Sequence, residues 1–146
     1  MELKDLLEGD TIDLYKIVDN LKTKEDLDDY IYTLKHKSFN EYFNEYVAQY
    51  VLDFPTIILR SNISKGYFYN IINGDRRPSR DKIICLCIGA GMNVKQLNRG
   101  LRIGIEGKLD PKNVRDVLIW YAVNKGIDSV VLINLMLEEY GQDVLE

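Results

Sequence analysis

The sequence has few of the residues that build metal centres, disulfide frameworks or flexible linkers. Its 146 residues include two cysteines, three prolines and one histidine. Cys85 and Cys87 are two positions apart in an apolar stretch, so on a helix their side chains point apart and do not form a disulfide. Because the one histidine, His36, is distant, we expect no metal site and no cofactor. Both cysteines are expected to fill a core in a reducing compartment.

Long apolar runs and catalytic patterns are also absent. No stretch approaches the roughly 18 apolar residues of a membrane span, and the start, Met1-Glu-Leu-Lys-Asp5, lacks the basic and apolar character of a signal segment. There is no phosphate-cradling glycine-rich loop, nucleophile elbow or metal-ligand cluster. We therefore expect a cytoplasmic protein that is not an enzyme and does not contact a membrane. His36 is expected to be a solvated linker residue.

The charges are unevenly distributed along the chain. The formal net charge is −4, an acidic balance that is unusual for a simple nucleic-acid binder. Residues 1 to 54 carry 13 acids and 6 bases, residues 55 to 108 carry 3 acids and 10 bases, and residues 109 to 146 carry 7 acids and 3 bases. A basic centre between acidic ends favours a charged partner; the alternative is a solvated surface with unevenly spaced charges.

Apolar residues recur mostly at spacings of three and four, which predicts an all-α protein. The helix that opens at Asn93 is expected to close at Gly100, and Asp110-Pro111 is expected to begin the next one. A final helix is expected over about residues 129 to 140. Capping residues and proline predict further helix starts at Ser38, Asp53-Phe-Pro55, Ser64 and Ser79.

Two short helices joined by a tight turn are predicted between residues 55 and 73. Apolar residues such as Ile63 and Phe68 have the spacing that lets the first helix brace the second, as in a helix-turn-helix. The outer face of the second helix is then free to contact bases and phosphates; the alternative is a solvated helix with some tyrosines in the core. The candidate contact residues are Ser64, Lys65, Gly66, Tyr67, Tyr69, Asn70 and Asn73.

Four bases follow this helix: Arg76, Arg77, Arg80 and Lys82. Cations at this place are expected to bind the phosphates that flank the groove, and each neutralised phosphate steepens the salt dependence of binding. The alternative is a charge-rich loop without a ligand.

The segment Asn62-Ile-Ser-Lys-Gly-Tyr-Phe-Tyr-Asn-Ile-Ile-Asn-Gly-Asp-Arg-Arg-Pro-Ser79 resembles the helix-turn-helix of Cro and lambda-repressor-type (XRE-family) regulators. The similarity covers about residues 55 to 101. It implies a lambda-repressor-like DNA-binding domain over residues 38–104, with an acidic N-terminal helical arm over 1–37 and a helical C-terminal extension over 105–146. A more extended match, in Tyr69-Asn-Ile-Ile-Asn-Gly74 and Leu109-Asp-Pro-Lys-Asn-Val-Arg-Asp116, resembles a bacterial subgroup with a helical C-terminal extension. The implied function is sequence-specific binding of duplex DNA by a transcriptional regulator, with a homodimer as one expectation.

The sequence departs from the family at several positions. The glutamine that often holds phosphate is replaced around Phe54, and the turn glycine is Asn62, which tolerates a left-handed backbone. Apolar residues replace surface ones at Leu59 and Ile88, which either form a protein interface or are covered by the arm or the extension.

These departures support an alternative function, a helix-turn-helix scaffold for protein interaction in which DNA binding is reduced or lost. In the extension, the apolar run Val117–Val123 predicts a dimer seam or an intramolecular lid. Trp120 and Tyr121 are the natural anchors in either case.

Overall fold

The computed structural model describes residues 18–35 and 38–146. Within these ranges the chain is all-helical, as predicted, and no helix there is long and apolar enough to cross a bilayer. The first 17 residues of the arm, and His36, lie outside the described residues. The helices are α1 (Lys24–Lys35), α2 (Phe39–Gln49), α3 (Phe54–Ser61), α4 (Lys65–Ile72), α5 (Arg80–Gly89), α6 (Val94–Ile103), α7 (Val114–Asn124) and α8 (Val130–Glu139).

Local capping determines where most of the helices begin. The side chain of Asp53 accepts hydrogen bonds from the Thr56 amide and hydroxyl, both at 2.8 Å. Asn93 and Gln96 form a complete capping box. The predicted starts at Ser38, Asp53, Ser64, Ser79 and Asn93 are all confirmed.

The predicted end of α6 at Gly100 is wrong, because the helix continues to Ile103. Gly100 is buried where α6 crosses α2 and α5. A Cβ at this position would lie 3.2 Å from Cys87 Sγ and 3.3 Å from the Phe39 ring. The glycine therefore permits a close helix crossing and does not terminate the helix.

The predicted start of α7 at Asp110-Pro111 is also wrong. The Asp110 carboxylate accepts a hydrogen bond from the Lys112 amide within a turn. Asn113 then caps the helix by accepting from the Asp116 amide at 3.0 Å. The chain makes one more turn before the helix because both short polar side chains bond to nearby amides.

Helix α5 lies at the centre of the core and packs against α3, α6 and α8. Every residue from Ile83 to Ala90 is buried. Cys85 and Cys87 are free and buried, as expected, and burial raises the pKa of the Cys85 thiol to about 12. Ile88 is only 1% exposed, so its assignment to a surface interface is wrong. From Ile83 onward, neighbouring helices surround α5 and leave no solvent-facing side.

Candidate nucleic-acid interface

Helices α3 and α4 are joined by a tight turn and held together by aromatic contacts. Asn62 adopts the left-handed conformation, with φ 55° and ψ 41°, which turns the chain. The Phe54 ring meets the Phe68 ring edge-on at 5.1 Å, and Phe68 is completely buried. The resemblance described above marks Phe54 as the replacement of a phosphate-binding glutamine. In this chain it packs between the helices, a role that the sequence comparison did not identify.

The outer face of α4 is exposed. Ser64 caps the helix by accepting from the Tyr67 amide at 3.2 Å, and the Tyr69 ring lies against Phe54 and Phe68 while keeping 36% of its surface exposed. The exposure of this face agrees with the sequence-based prediction. The exposed candidate residues are Ser64, Lys65, Gly66, Tyr69, Asn70 and Asn73.

Tyr67 is placed differently from the other candidates on α4. It is half-buried and packs against the core. The Arg76 guanidinium carbon lies 4.8 Å from the centre of its ring, and Lys82 Nζ lies 5.3 Å from the same centre. The structure therefore brings together one tyrosine and two of the predicted phosphate-binding cations.

Arg80, another predicted phosphate ligand, is engaged in contacts within the protein. Its Nη2 lies 2.9 Å from Asp116 Oδ2 and its Nη1 lies 3.2 Å from Asp116 Oδ1. Its Nε donates to the Gly107 carbonyl at 3.0 Å. A guanidinium with a bidentate carboxylate partner and backbone acceptors has its donors occupied within the protein.

Arg77 remains half-exposed, with 47% of its side chain accessible. Its nearest acidic partner is Glu106, at 3.9 Å, which is the outer limit of an ion pair. An exposed pair at this distance contributes little to folding. Arg77 is therefore the predicted phosphate ligand whose replacement should perturb the fold least.

Among the described residues, half of the ten bases in residues 55–108 form ion pairs with acids outside that segment. Lys108 and Arg102 approach Asp26 of the arm, at 2.6 and 3.8 Å. Arg99 approaches Asp29 of the arm at 3.2 Å, so α1 packs on α6 through these charges. The others are Arg60–Asp128 and Arg80–Asp116. Much of the charge asymmetry in the sequence therefore reflects internal pairing. The outer face of α4, together with the loop and first turn of α5 that follow it, is called the α4 face below. The bases of the α4 face that remain are Lys65, Arg76, Arg77 and Lys82.

The candidate protein-interface residues divide into two groups. Leu59 on α3 is 79% exposed and Tyr121 on α7 is 57% exposed. Trp120 is half-buried and packs on the core, and Ile88 lies inside it. One face of the α7–α8 pair covers α3, α5 and α6, while Val117 and other apolar residues face outward.

The α4 face combines a short exposed helix, a capped N-terminus and four cations. A helix of this size fits the major groove, and amide, hydroxyl and basic groups bind base edges and phosphates. Comparisons of the chain with family models, with characterised proteins and with solved structures give no match.

Proposed function

We propose that the protein binds duplex DNA through the outer face of α4 and acts as a sequence-specific transcriptional regulator. The observation that supports this most is the exposure of Lys65 and Asn70 on a helix whose inner residues, Phe68 and Ile71, are fully buried. Asn73, the C-cap of this helix, is also exposed. A helix anchored in this way presents its polar face rigidly. Rigid presentation reduces the entropy lost on binding.

Electrostatics favours the same side of the molecule. Among the described residues, Asp26 and Asp29 of the arm and Asp116 of the extension pair with other bases, and Arg76 and Lys82 lie beside Tyr67. The acidic remainder of the chain repels DNA from the other faces. Binding is then confined to one orientation.

We extend the proposal to a cytoplasmic regulator that works as a homodimer. Two-fold pairing would place two copies of α4 on half-sites about 34 Å apart, one helical turn of DNA. A reducing compartment suits the two free, buried cysteines.

Selection from a pool of random duplexes at several salt concentrations tests this function. We expect the parent to enrich a defined sequence and Arg77→Glu to lose enrichment by at least tenfold, since it reverses one phosphate contact. Lys112→Glu is the matched control, because Lys112 is exposed in the turn before α7 and its replacement changes the net charge equally. Failure of the parent to enrich any duplex, with a flat salt dependence, would refute the proposal.

A protein-interaction scaffold is the second candidate function, and two exposed apolar residues favour it. Leu59 is 79% exposed, and Val51 is 88% exposed with φ 52°. A β-branched residue in the left-handed region is strained, and such strain is concentrated at functional sites. Neither residue is needed for DNA contact through α4.

This candidate is tested by sedimentation and by cross-linking with identification of the partner. The scaffold function would be established if the protein does not bind DNA, associates with itself or with a partner, and loses that association in the Leu59→Asp variant. Val51→Gly serves as a second variant, because it relieves strain while removing the apolar side chain. Unchanged association in both variants would exclude these residues from an interface.

A further inference from the structure

We propose that Tyr67, Arg76 and Lys82 form one preorganised phosphate-binding unit in which the tyrosine positions the two cations and does not read a base. This inference rests on the proposed DNA-binding function. It identifies which side chains contact the DNA backbone and which one positions them. The ligand is a backbone phosphate, the group to which a guanidinium and an ammonium bind together.

The ring holds both cations at once. Arg76 Cζ is 4.8 Å and Lys82 Nζ is 5.3 Å from the Tyr67 centroid, both within the range of a cation–π contact. Because both contacts share one ring, the two cations lie within about 10 Å of each other, the Debye length at 0.1 M salt. Two positive charges beside one ring raise the local electrostatic potential, which attracts an anion such as phosphate.

The backbone beneath Arg76 is also fixed. The Asn70 carbonyl accepts hydrogen bonds from the Asp75 amide at 2.9 Å and the Arg76 amide at 3.1 Å. Gly74, with φ +79°, supplies the left-handed residue that lets the chain reverse there. Arg76 is therefore anchored at its amide by α4 and at its guanidinium by the ring.

Lys82 reaches the same ring from a different element. It lies in the first turn of α5, where its amide donates to Ser79 Oγ at 3.3 Å. The unit thus joins the two helices on either side of the Gly74–Ser79 loop. Because long side chains lose rotamer entropy when they bind, cations that are already ordered bind phosphate at a smaller entropic cost.

The half-buried position of Tyr67 excludes it from the outward face that Lys65, Tyr69 and Asn70 share. A residue that reads bases extends its side chain into the groove, whereas this ring packs inward with cations around it. Its contribution to binding therefore comes from its π face, and its hydroxyl is dispensable.

The salt dependence of binding to a mixed-sequence duplex tests the unit in three variants. Combining two of them gives a double-mutant cycle. We expect Tyr67→Phe to bind as the parent does, because the ring is kept. Tyr67→Leu should bind about tenfold more weakly, with the log–log salt slope reduced by about one phosphate contact, or 0.9. In Arg76→Gln/Lys82→Gln protein, adding Tyr67→Leu should have no further effect, since the ring acts through those cations.

The outcomes separate this inference from the function on which it rests. If the parent binds no duplex, both the DNA-binding function and the phosphate-binding unit are refuted. A parent that binds while Tyr67→Phe loses as much affinity as Tyr67→Leu retains the function and overturns the unit, because the hydroxyl then contacts DNA. The unit is also overturned if Tyr67→Leu lowers the affinity of Arg76→Gln/Lys82→Gln protein as much as it lowers that of the parent. Far-UV circular dichroism and thermal melting establish that each variant is folded, and the Tyr67→Phe comparison stays decisive even where Tyr67→Leu does not fold.

Discussion

Arg80 at the start of α5 and Asp116 in the first turn of α7 form a bidentate ion pair, with distances of 2.9 and 3.2 Å. The next residue, Asp81, forms a second one with Arg115, at 2.8 and 3.0 Å. Each of the two helices therefore supplies one arginine and one aspartate to this double ion pair. This reciprocal pairing fastens α7 to α5.

Replacement of Arg80 should lower stability rather than DNA affinity. Asp116 is only 5% exposed, so Arg80→Gln leaves a buried carboxylate without its cation, at a cost of about 3 kcal/mol. Urea denaturation measures this loss in the free energy of unfolding. Arg77→Gln is the matched control and should change stability by less than about 0.5 kcal/mol. Equal effects of the two variants would contradict the distinction drawn between these arginines.

Acid should release the arm and the extension from the core. The hydrogen bond from Lys108 holds the pKa of Asp26 below its usual value. Burial raises the pKa of Asp81, but the bonds from Arg115 and the Glu146 amide and the charges of Arg115 and Arg80 outweigh it, so the net shift is also downward. Because both folded-state pKa values are depressed, their stabilisation is complete above the unfolded-state pKa of about 4 and is lost as the pH falls below it.

Hydrogen exchange of the α1 and α7 amides between pH 6 and pH 3 checks whether acid releases these helices from the core. Protection there should fall at a higher pH than protection in α5. In Asp26→Asn protein, the arm helix should already be less protected at pH 6. Uniform loss of protection across all helices would argue that the arm and the extension are not held by these carboxylates.

Gly89→Ala should disrupt the packing of α3 on α5. A Cβ at Gly89 would lie 2.0 Å from Ser61 Oγ and 2.9 Å from the Ile57 carbonyl oxygen, and the second atom belongs to the backbone and cannot rotate away. We expect a loss of about 3 kcal/mol or more in thermal or urea unfolding. Gly91→Ala is not an equivalent control, because Gly91 has φ +74° and would be strained by itself.

Ser61→Ala is the informative companion variant. The Ser61 hydroxyl is fully buried and has no hydrogen-bond partner among the described residues. Removing it should leave stability unchanged or raise it by about 1 kcal/mol. It should also lessen the cost of Gly89→Ala, because it removes the nearest atom to the new Cβ. Additive effects of the two substitutions would show that this contact does not limit the helix approach.

Five helix starts, at Ser38, Asp53, Ser64, Ser79 and Asn93, were predictable from the sequence because capping is a local interaction. Ser64 and Asn93 bond to amides three residues away, so a short window contains the whole signal. The end of α6 was missed because the reason for Gly100 is a crossing with Phe39, more than 60 positions earlier in the chain. The role of Arg80 was missed for the same reason, since Asp116 is 36 positions away. Charge alone did not distinguish a free arginine from one that is paired.

Gly66→Ala should stabilise the protein and weaken DNA binding. A Cβ at Gly66 would meet nothing within 4 Å, so no packing requires the glycine. Alanine in this exposed turn of α4 should raise the free energy of unfolding by about 0.5–1 kcal/mol. If the glycine instead allows close approach of the DNA backbone, affinity falls although stability rises. Higher stability with unchanged affinity would remove Gly66 from the interface.

The most direct measurement of the central claim, that the α4 face binds duplex DNA, is residue-by-residue mapping of amide chemical shifts during titration with the enriched duplex. We expect the largest changes over residues 64–73 and 75–82, and small ones in α1 and on the outer side of α7 and α8. The changes should shrink as salt is raised, because phosphate contacts release counterions. Changes centred on Leu59 and Tyr121, or no changes at any duplex concentration, would contradict the claim.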